Sequence, residues 1–388
     1  MAAKTVAKGL GAVALIVTLA IAIAYWVAYL NLDRFAWARA VLWMDADVSD
    51  YTRFPARQIA AGSEAYAYAK GQGYPDGLSA SVRLPGGAAL DDFLEAHHTT
   101  AFLVIKDDKL LYERYFNGSS HDAVQTSFSV AKSFNSAMIG AALEDGSLVG
   151  TDDPITKYLP ELAARDDRFT RITIRHLATM SSGIHYEEHG LPWSDDALTY
   201  YSPDLRRLAL DTTWIEEPPG QRFHYNNYNP LLLGIILERA TGMHIADYLS
   251  AKIWKPLGAE ADASWSLDST ANGFEKMESG INARAIDFAK LGSLYLHRGV
   301  FNGHRILPEA WVDMSTTPVL PTGIGTASYA WWWWTGHDPE LGAFYSARGN
   351  KGQFVFVFPA KNLVIVRNGN AYGDADWRAL MIAVAMAS

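Results

Sequence analysis

No cysteine occurs anywhere in the 388 residues. That absence removes disulfides, thiol nucleophiles and thiolate metal sites, and by itself assigns no compartment. Basic clusters are missing as well. Lys and Arg number 33 against 42 Asp and Glu, a formal net charge of −9, and no arginine-rich run or basic stripe interrupts that balance. This argues against a nucleic-acid role. There is no glycine-rich phosphate loop and no dinucleotide fingerprint, so no cofactor is implied. Internal repeats and low-complexity segments are also absent.

What is present is enough apolar residue, 49% of the chain, to build a sizeable core. The length suits a large catalytic domain of two lobes. Residues 9–30 read "GLGAVALIVTLAIAIAYWVAYL", with no charge between Lys8 and Asp33. As a helix this stretch rises about 33 Å, enough to cross a hydrocarbon core. A cleaved signal peptide would have a shorter apolar region followed by a small-x-small site. Tyr25, Trp26 and Tyr29 instead read as interfacial anchors. The expectation is therefore a retained single span in the inner (cytoplasmic) membrane. Lys4 and Lys8 on its short side place the amino terminus in the cytoplasm and the catalytic domain in the periplasm. Residues 1–32 form the tip and anchor, 33–90 a linker and approach segment, and 91–388 the catalytic domain.

Within that domain, "TTAFLVIKDDKLLYERYFNG" predicts two strands turning at Asp107-Asp108. Residues from about 140 to 300 read mainly as helices. Strands return in "SYAWWWWTG", "LGAFYSARG", "GQFVFVFP" and "NLVIVRNG", before a last helix in "DWRALMIAVAMA". Strand-rich ends around a helical middle predict an α+β fold. The two ends pair into one antiparallel sheet flanked by helices, and the middle makes a second lobe. A cleft between lobes is a favoured place for a site.

The stretch "FSVAKSF" sets Ser129 and Lys132 three residues apart, on one face of a helix. A serine hydroxyl is a poor nucleophile until a base takes its proton. A lysine is that base only if its pKa falls, which burial among groups such as Val130, Ala131 and Phe134 brings about. The Ser129 N–H at a helix start would stabilise an oxyanion. Ser-x-x-Lys also arises by chance about once in a chain of this length. A second element is Tyr225-Asn226-Asn227 before a helix. A tyrosine whose pKa is depressed by a cation can relay protons, and Asn227 can bond both a lysine and a substrate amide. The bland alternative is an Asn-rich helix cap. The third is "ARGNKGQFVFVFP", where Gly349 and Gly352 flank Asn350 and Lys351, either to admit a ligand close to the backbone or simply to enter a hairpin.

These three elements, with "ITIRHLATMSSGI" (172–184), 218–242 and 283–312, resemble the serine β-lactamase and penicillin-binding superfamily. The resemblance is to its class C β-lactamase-like branch of esterases, D-amino-acid peptidases and 6-aminohexanoate-oligomer hydrolases. It implies an acylated nucleophile at Ser129, Lys132 as base or electrostatic activator, and Tyr225 as proton relay. It further implies Asn227 near the substrate and an oxyanion hole from the backbone N–H groups of Ser129 and Asn350. Many members carry Lys-Thr-Gly or His-Thr-Gly on the third strand, where this chain reads Ala347-Arg348-Gly349. That favours amide or ester hydrolysis of a small or short-peptide substrate over β-lactamase or cell-wall peptidase activity. A binding protein retaining the fold is the non-enzymatic alternative. Arg348 is a candidate for a substrate carboxylate.

Among four consecutive tryptophans, 331–334, strand alternation sends two to each face, and Trp333 is expected to wall the cleft. His185, Glu187, Glu188 and His189 lack His-Glu-x-x-His spacing and read as a solvated acidic loop rather than a metal site. Glu217 and Asp287 read as structural.

Overall fold

The computed structural model describes residues 2–75, 78–79, 81–82, 84 and 87–388, with side chains from residue 13 onward. Among the described residues nine strands form one sheet. In spatial order they are β10 (Leu320–Pro321), β11 (Ser328–Tyr329), β12 (Trp334–Asp338), β13 (Gly342–Gly349), β14 (Gln353–Phe358), β15 (Leu363–Gly369), β3 (Thr99–Lys106), β4 (Lys109–Tyr115) and β2 (Ala69–Lys70). The two ends of the domain meet where β3 pairs antiparallel with β15, Val104 opposite Ile365. The β3–β4 turn holds Asp107 and Asp108 at φ 49° and 58°. Positive φ at both central residues matches the twist of a two-residue hairpin.

Strand alternation sorts the side chains between two layers. Phe102, Val104, Phe356 and Ile365 pack with residues of α3 (Leu90–Ala96) and α13 (Trp377–Ala387). Leu103, Ile105, Val355 and Val364 join the larger core with α4 (Ala131–Glu144) and α11 (Ala285–Leu296). Both faces are covered, which is why β3, β14 and β15 read as unbroken apolar runs. The helical lobe comprises α5 (Pro160–Arg165), α6 (Ile174–Ala178), α7 (Asp195–Tyr201), α8 (Leu205–Asp211), α9 (Tyr228–Thr241) and α10 (Ile245–Leu249), with α12 (Glu309–Thr316) later in the chain. A smaller sheet runs β1 (Ala56–Ile59), β6 (Ala263–Ser266), β7 (Ile281–Arg284), β5 (Val124–Thr126), and β8 (Val300–Phe301) pairs with β9 (His304–Arg305). The α+β architecture follows the expected plan.

The amino-terminal expectation does not hold. Helix α1 spans Ala2–Tyr29, but among the described residues no helix is long and apolar enough to cross a membrane. The single transmembrane span over 9–30, and the inner-membrane, periplasmic placement drawn from it, are therefore withdrawn. Lys4 and Lys8, which were to orient that span, lie outside the described side chains. The chain then turns into α2 (Ala36–Trp43), which packs on α7 through Ala36, Ala40 and Tyr201. The buried Arg39 guanidinium donates to the carbonyls of Leu32, at 2.9 Å, and Asp268, at 2.6 Å.

Helix α11 lies close on the sheet because residue 292 is glycine: a Cβ there would stand 2.6 Å from Val364 Cγ1. Gly292→Leu should destabilise the fold by about 2 kcal/mol through overpacking. A lower urea midpoint at unchanged slope is the expected reading, and an unchanged midpoint would show that the layer yields.

Candidate active site

Strand β5 runs into a turn at Ser127–Val130 before α4 begins. Phe128 takes φ 41° there, a conformation that costs a non-glycine residue about 1–3 kcal/mol. Ser127 holds the turn. Its N–H donates to Ile281 O at 2.7 Å, its hydroxyl donates to Phe128 O at 3.0 Å, and the same oxygen accepts from Ile281 N–H at 3.1 Å. The turn leaves Ser129 partly accessible, with Lys132 in the first turn of α4.

Lys132 is 1% exposed. Its ammonium donates to Ser129 Oγ at 2.9 Å and to Glu278 O at 2.8 Å. It also sits 5.0 Å from the Tyr225 ring centroid. Burial pushes its pKa down to about 7, against the pull of the Glu278 and Glu188 carboxylates. Tyr225 is half-buried, and its phenol feels the Ser129 side chain, which favours its ionised form. A cation was expected to depress its pKa. Burial dominates instead and pushes it up, Ser129 offsetting only part. The phenol therefore stays protonated while the lysine titrates near neutrality. Asn226 fixes the approach of Tyr225: its amide donates to Ile184 O at 2.9 Å and its Oδ1 accepts from Tyr228 N–H at 2.8 Å.

Asn227 lines the same cleft, but its amide donates to Tyr186 OH at 2.8 Å rather than meeting Lys132. Among the described residues its buried Oδ1 has no hydrogen-bond partner. Gly349 ends β13 against the Ser127–Val130 turn. A Cβ there would fall 2.4 Å from Ser127 O and 3.1 Å from Ser129 N, so only glycine admits this approach. Asn350 follows, exposed at the cleft edge. Arg348 is half-buried, donates to Ser346 Oγ at 2.9 Å and lies 5.2 Å over the Trp334 ring. Burial lowers its pKa to about 10, and among the described residues no carboxylate forms an ion pair with it. Lys351 is engaged elsewhere, with Asp45 at 2.7 Å.

Trp333 is not in the cleft. It is fully buried, 4.5 Å from Tyr295 and 5.3 Å from Tyr345. Trp332 takes φ 62°, and β12 starts only at Trp334, so strand alternation does not apply to 331–333. Trp334 is the tryptophan at the cleft, stacked on Tyr225 at 6.0 Å. Sequence reasoning also passed over Tyr186 and Glu278. Tyr186 follows the "SSGIH" stretch, a usable signal, whereas nothing local marks Glu278. The acidic loop places His185 3.7 Å from Glu187 and 3.5 Å from Glu216. Among the described residues no cluster has the makings of a metal site. The cleft joining these groups encloses about 1210 Å³.

A family model described as Beta-lactamase matches residues 87–385, which takes in all three elements of this site. The chain belongs to the beta-lactamase family. Within it, the chain is 28% identical over 321 residues to the 6-aminohexanoate-dimer hydrolase of Paenarthrobacter ureafaciens, covering 77% of this chain and 78% of that one. A solved structure from Bacillus anthracis, assigned provisionally as a 6-aminohexanoate-dimer hydrolase, superposes with TM-score 0.75 at 26% identity. The match covers 87% of this chain and 92% of that one. The octameric penicillin-binding protein homologue from Pyrococcus abyssi shares the fold, with TM-score 0.62 at 22% identity over 76% of this chain and 75% of that one. This beta-lactamase-family chain thus sits in the esterase and nylon-oligomer-hydrolase branch and is a hydrolase.

The Lys132 amine should titrate near pH 7, read from side-chain NMR shifts. Glu278→Gln should move that midpoint lower, because the carboxylate it removes favours the charged amine. A midpoint in the ordinary lysine range, about 10, would show that the amine is hydrated.

Proposed function

We propose that the chain is a serine hydrolase that opens an amide or ester bond through an acyl-enzyme on Ser129. The carrying observation is the fully buried Lys132 amine, 2.9 Å from Ser129 Oγ, with its pKa lowered to about 7. Neutral Lys132 takes the Ser129 proton, and Oγ attacks the carbonyl carbon. The carbonyl oxygen becomes an oxyanion, received by the N–H groups of Ser129 and Asn350. Gly349 is what lets these two backbone segments lie side by side. The proton held by Lys132 then passes to the departing amine or alcohol, with the protonated Tyr225 phenol as relay. Water repeats the sequence on the ester, releasing the acid and restoring the Ser129 hydroxyl.

Arg348 serves as the counter-charge for a substrate carboxylate. Its lack of a carboxylate partner among the described residues supports that reading, and its place in the cleft puts it beside Trp334. Asn227, whose Oδ1 has no partner among the described residues, suits an amide N–H of the substrate. Similarity to the 6-aminohexanoate-dimer hydrolase favours amides of linear acids among the substrates.

A fluorophosphonate probe should label the protein at Ser129, and Ser129→Ala should abolish labelling and turnover while costing at most about 2 kcal/mol of stability. Turnover at near wild-type rate in that variant would remove the nucleophile assignment. Lys132→Ala and Tyr225→Phe should each cut turnover roughly 10²-fold or more. Because they serve one proton path, the double variant should fall little further. Losses that multiply would show independent roles.

A further inference from the structure

The cleft has a wall that the family match does not include. Tyr25, Val41, Met44 and Asp45 line it from the amino-terminal side, ahead of residues 87–385. This wall is fastened at several points. Arg39 ties α2 to the carbonyls of Asp268 and Tyr201, and the Tyr201 hydroxyl donates to Met44 O at 2.8 Å. Lys351, next to Asn350, pairs with Asp45 at 2.7 Å. A strap held this firmly against the Asn350 turn is part of the site.

The strap presents aliphatic surface. Met44 is 68% exposed, and across the same cavity Leu191 is 45% and Ile324 62% exposed. Large apolar side chains gathered in water at the mouth of a cleft mark a contact surface. Of the acids lining the cavity, Glu188 is exposed, and the others are engaged within the protein. Asp45 holds Lys351, Asp196 accepts from the Ser194 hydroxyl, and Asp376 caps α13 by accepting from Ala379 N–H at 3.0 Å. Between them Met44, Leu191 and Ile324 offer a ligand hydrocarbon in the cavity that also holds Ser129.

We infer that Met44, Leu191 and Ile324 form a binding arm for an uncharged aliphatic chain attached to the scissile amide or ester, so that the strap sets a preference for long chains. The inference rests on the hydrolase reading above and names the substrate class for the same site. The arm binds the part of the substrate remote from the reacting bond, where each buried methylene adds to affinity.

The test is equilibrium binding to the Ser129→Ala protein, which does not depend on turnover. Two pairs of neutral amides are titrated calorimetrically: N-methylbutanamide against N-methyloctanamide, and N-butylacetamide against N-octylacetamide. In at least one pair the longer chain should bind roughly tenfold or more tightly. In Met44→Ser combined with Ile324→Ser that gain should shrink to about threefold or less, with the thermal midpoint unchanged because both side chains are exposed. Equal affinities within both pairs, or a full gain in the double variant, would overturn the arm. Its failure leaves labelling of Ser129 untouched. Failure of the hydrolase reading would show as unaltered protein that neither labels nor turns over, and would leave the chain-length gain in place.

Discussion

A lysine amine removed from water must either find strong partners or give up its proton. Lys132 stands between those outcomes. Among the described residues its two hydrogen-bond partners, Ser129 Oγ and the Glu278 carbonyl, are neutral, and no carboxylate lies within ion-pair distance of its ammonium. Distant anions soften the desolvation without cancelling it, and the pKa settles near 7. Much of the surrounding structure maintains this balance. The strained Phe128 turn delivers Ser129, and Ser127 pays for that strain with three bonds to the turn and β7. The Tyr225 ring closes one side of the amine, and Trp334 backs that ring.

The same burial acts in opposite senses on the two titratable neighbours. It discharges the lysine and keeps the phenol protonated. One group is thereby suited to accept a proton and the other to donate one at the same pH. Of the two roles that family resemblance left open for Lys132, this supports the proposed one, the base.

How much of this was legible in the sequence depended on the range of each interaction. Ser129 and Lys132 meet through helical spacing, so a four-residue pattern suffices. Gly349 was read as letting a ligand close to the backbone; what it admits is the protein's own Ser127 O, far away in the chain. The tryptophan run misled because a left-handed residue, Trp332, breaks the alternation that strand reasoning assumes. It sends Trp333 to the core and leaves Trp334 at the cleft. Asn227 was assigned to Lys132 by type and proximity, but Tyr186, from a different loop, takes its amide. The amino-terminal apolar stretch was read from its length, its aromatic anchors and its flanking lysines, and no membrane-crossing helix emerges among the described residues. The strap of α2 had no local signature, since its anchor points on Asp268, Tyr201 and Lys351 are dispersed along the chain.

The central claim is that neutral Lys132 activates Ser129, and the pH dependence of covalent labelling tests it most directly. The second-order rate of fluorophosphonate attachment to Ser129 is measured across neutrality, with intact-mass detection. The account predicts a tenfold rise per pH unit below a single midpoint near 7, followed by a plateau. A labelling rate that is flat through neutrality, or that still climbs toward the ordinary lysine pKa of about 10, would contradict it.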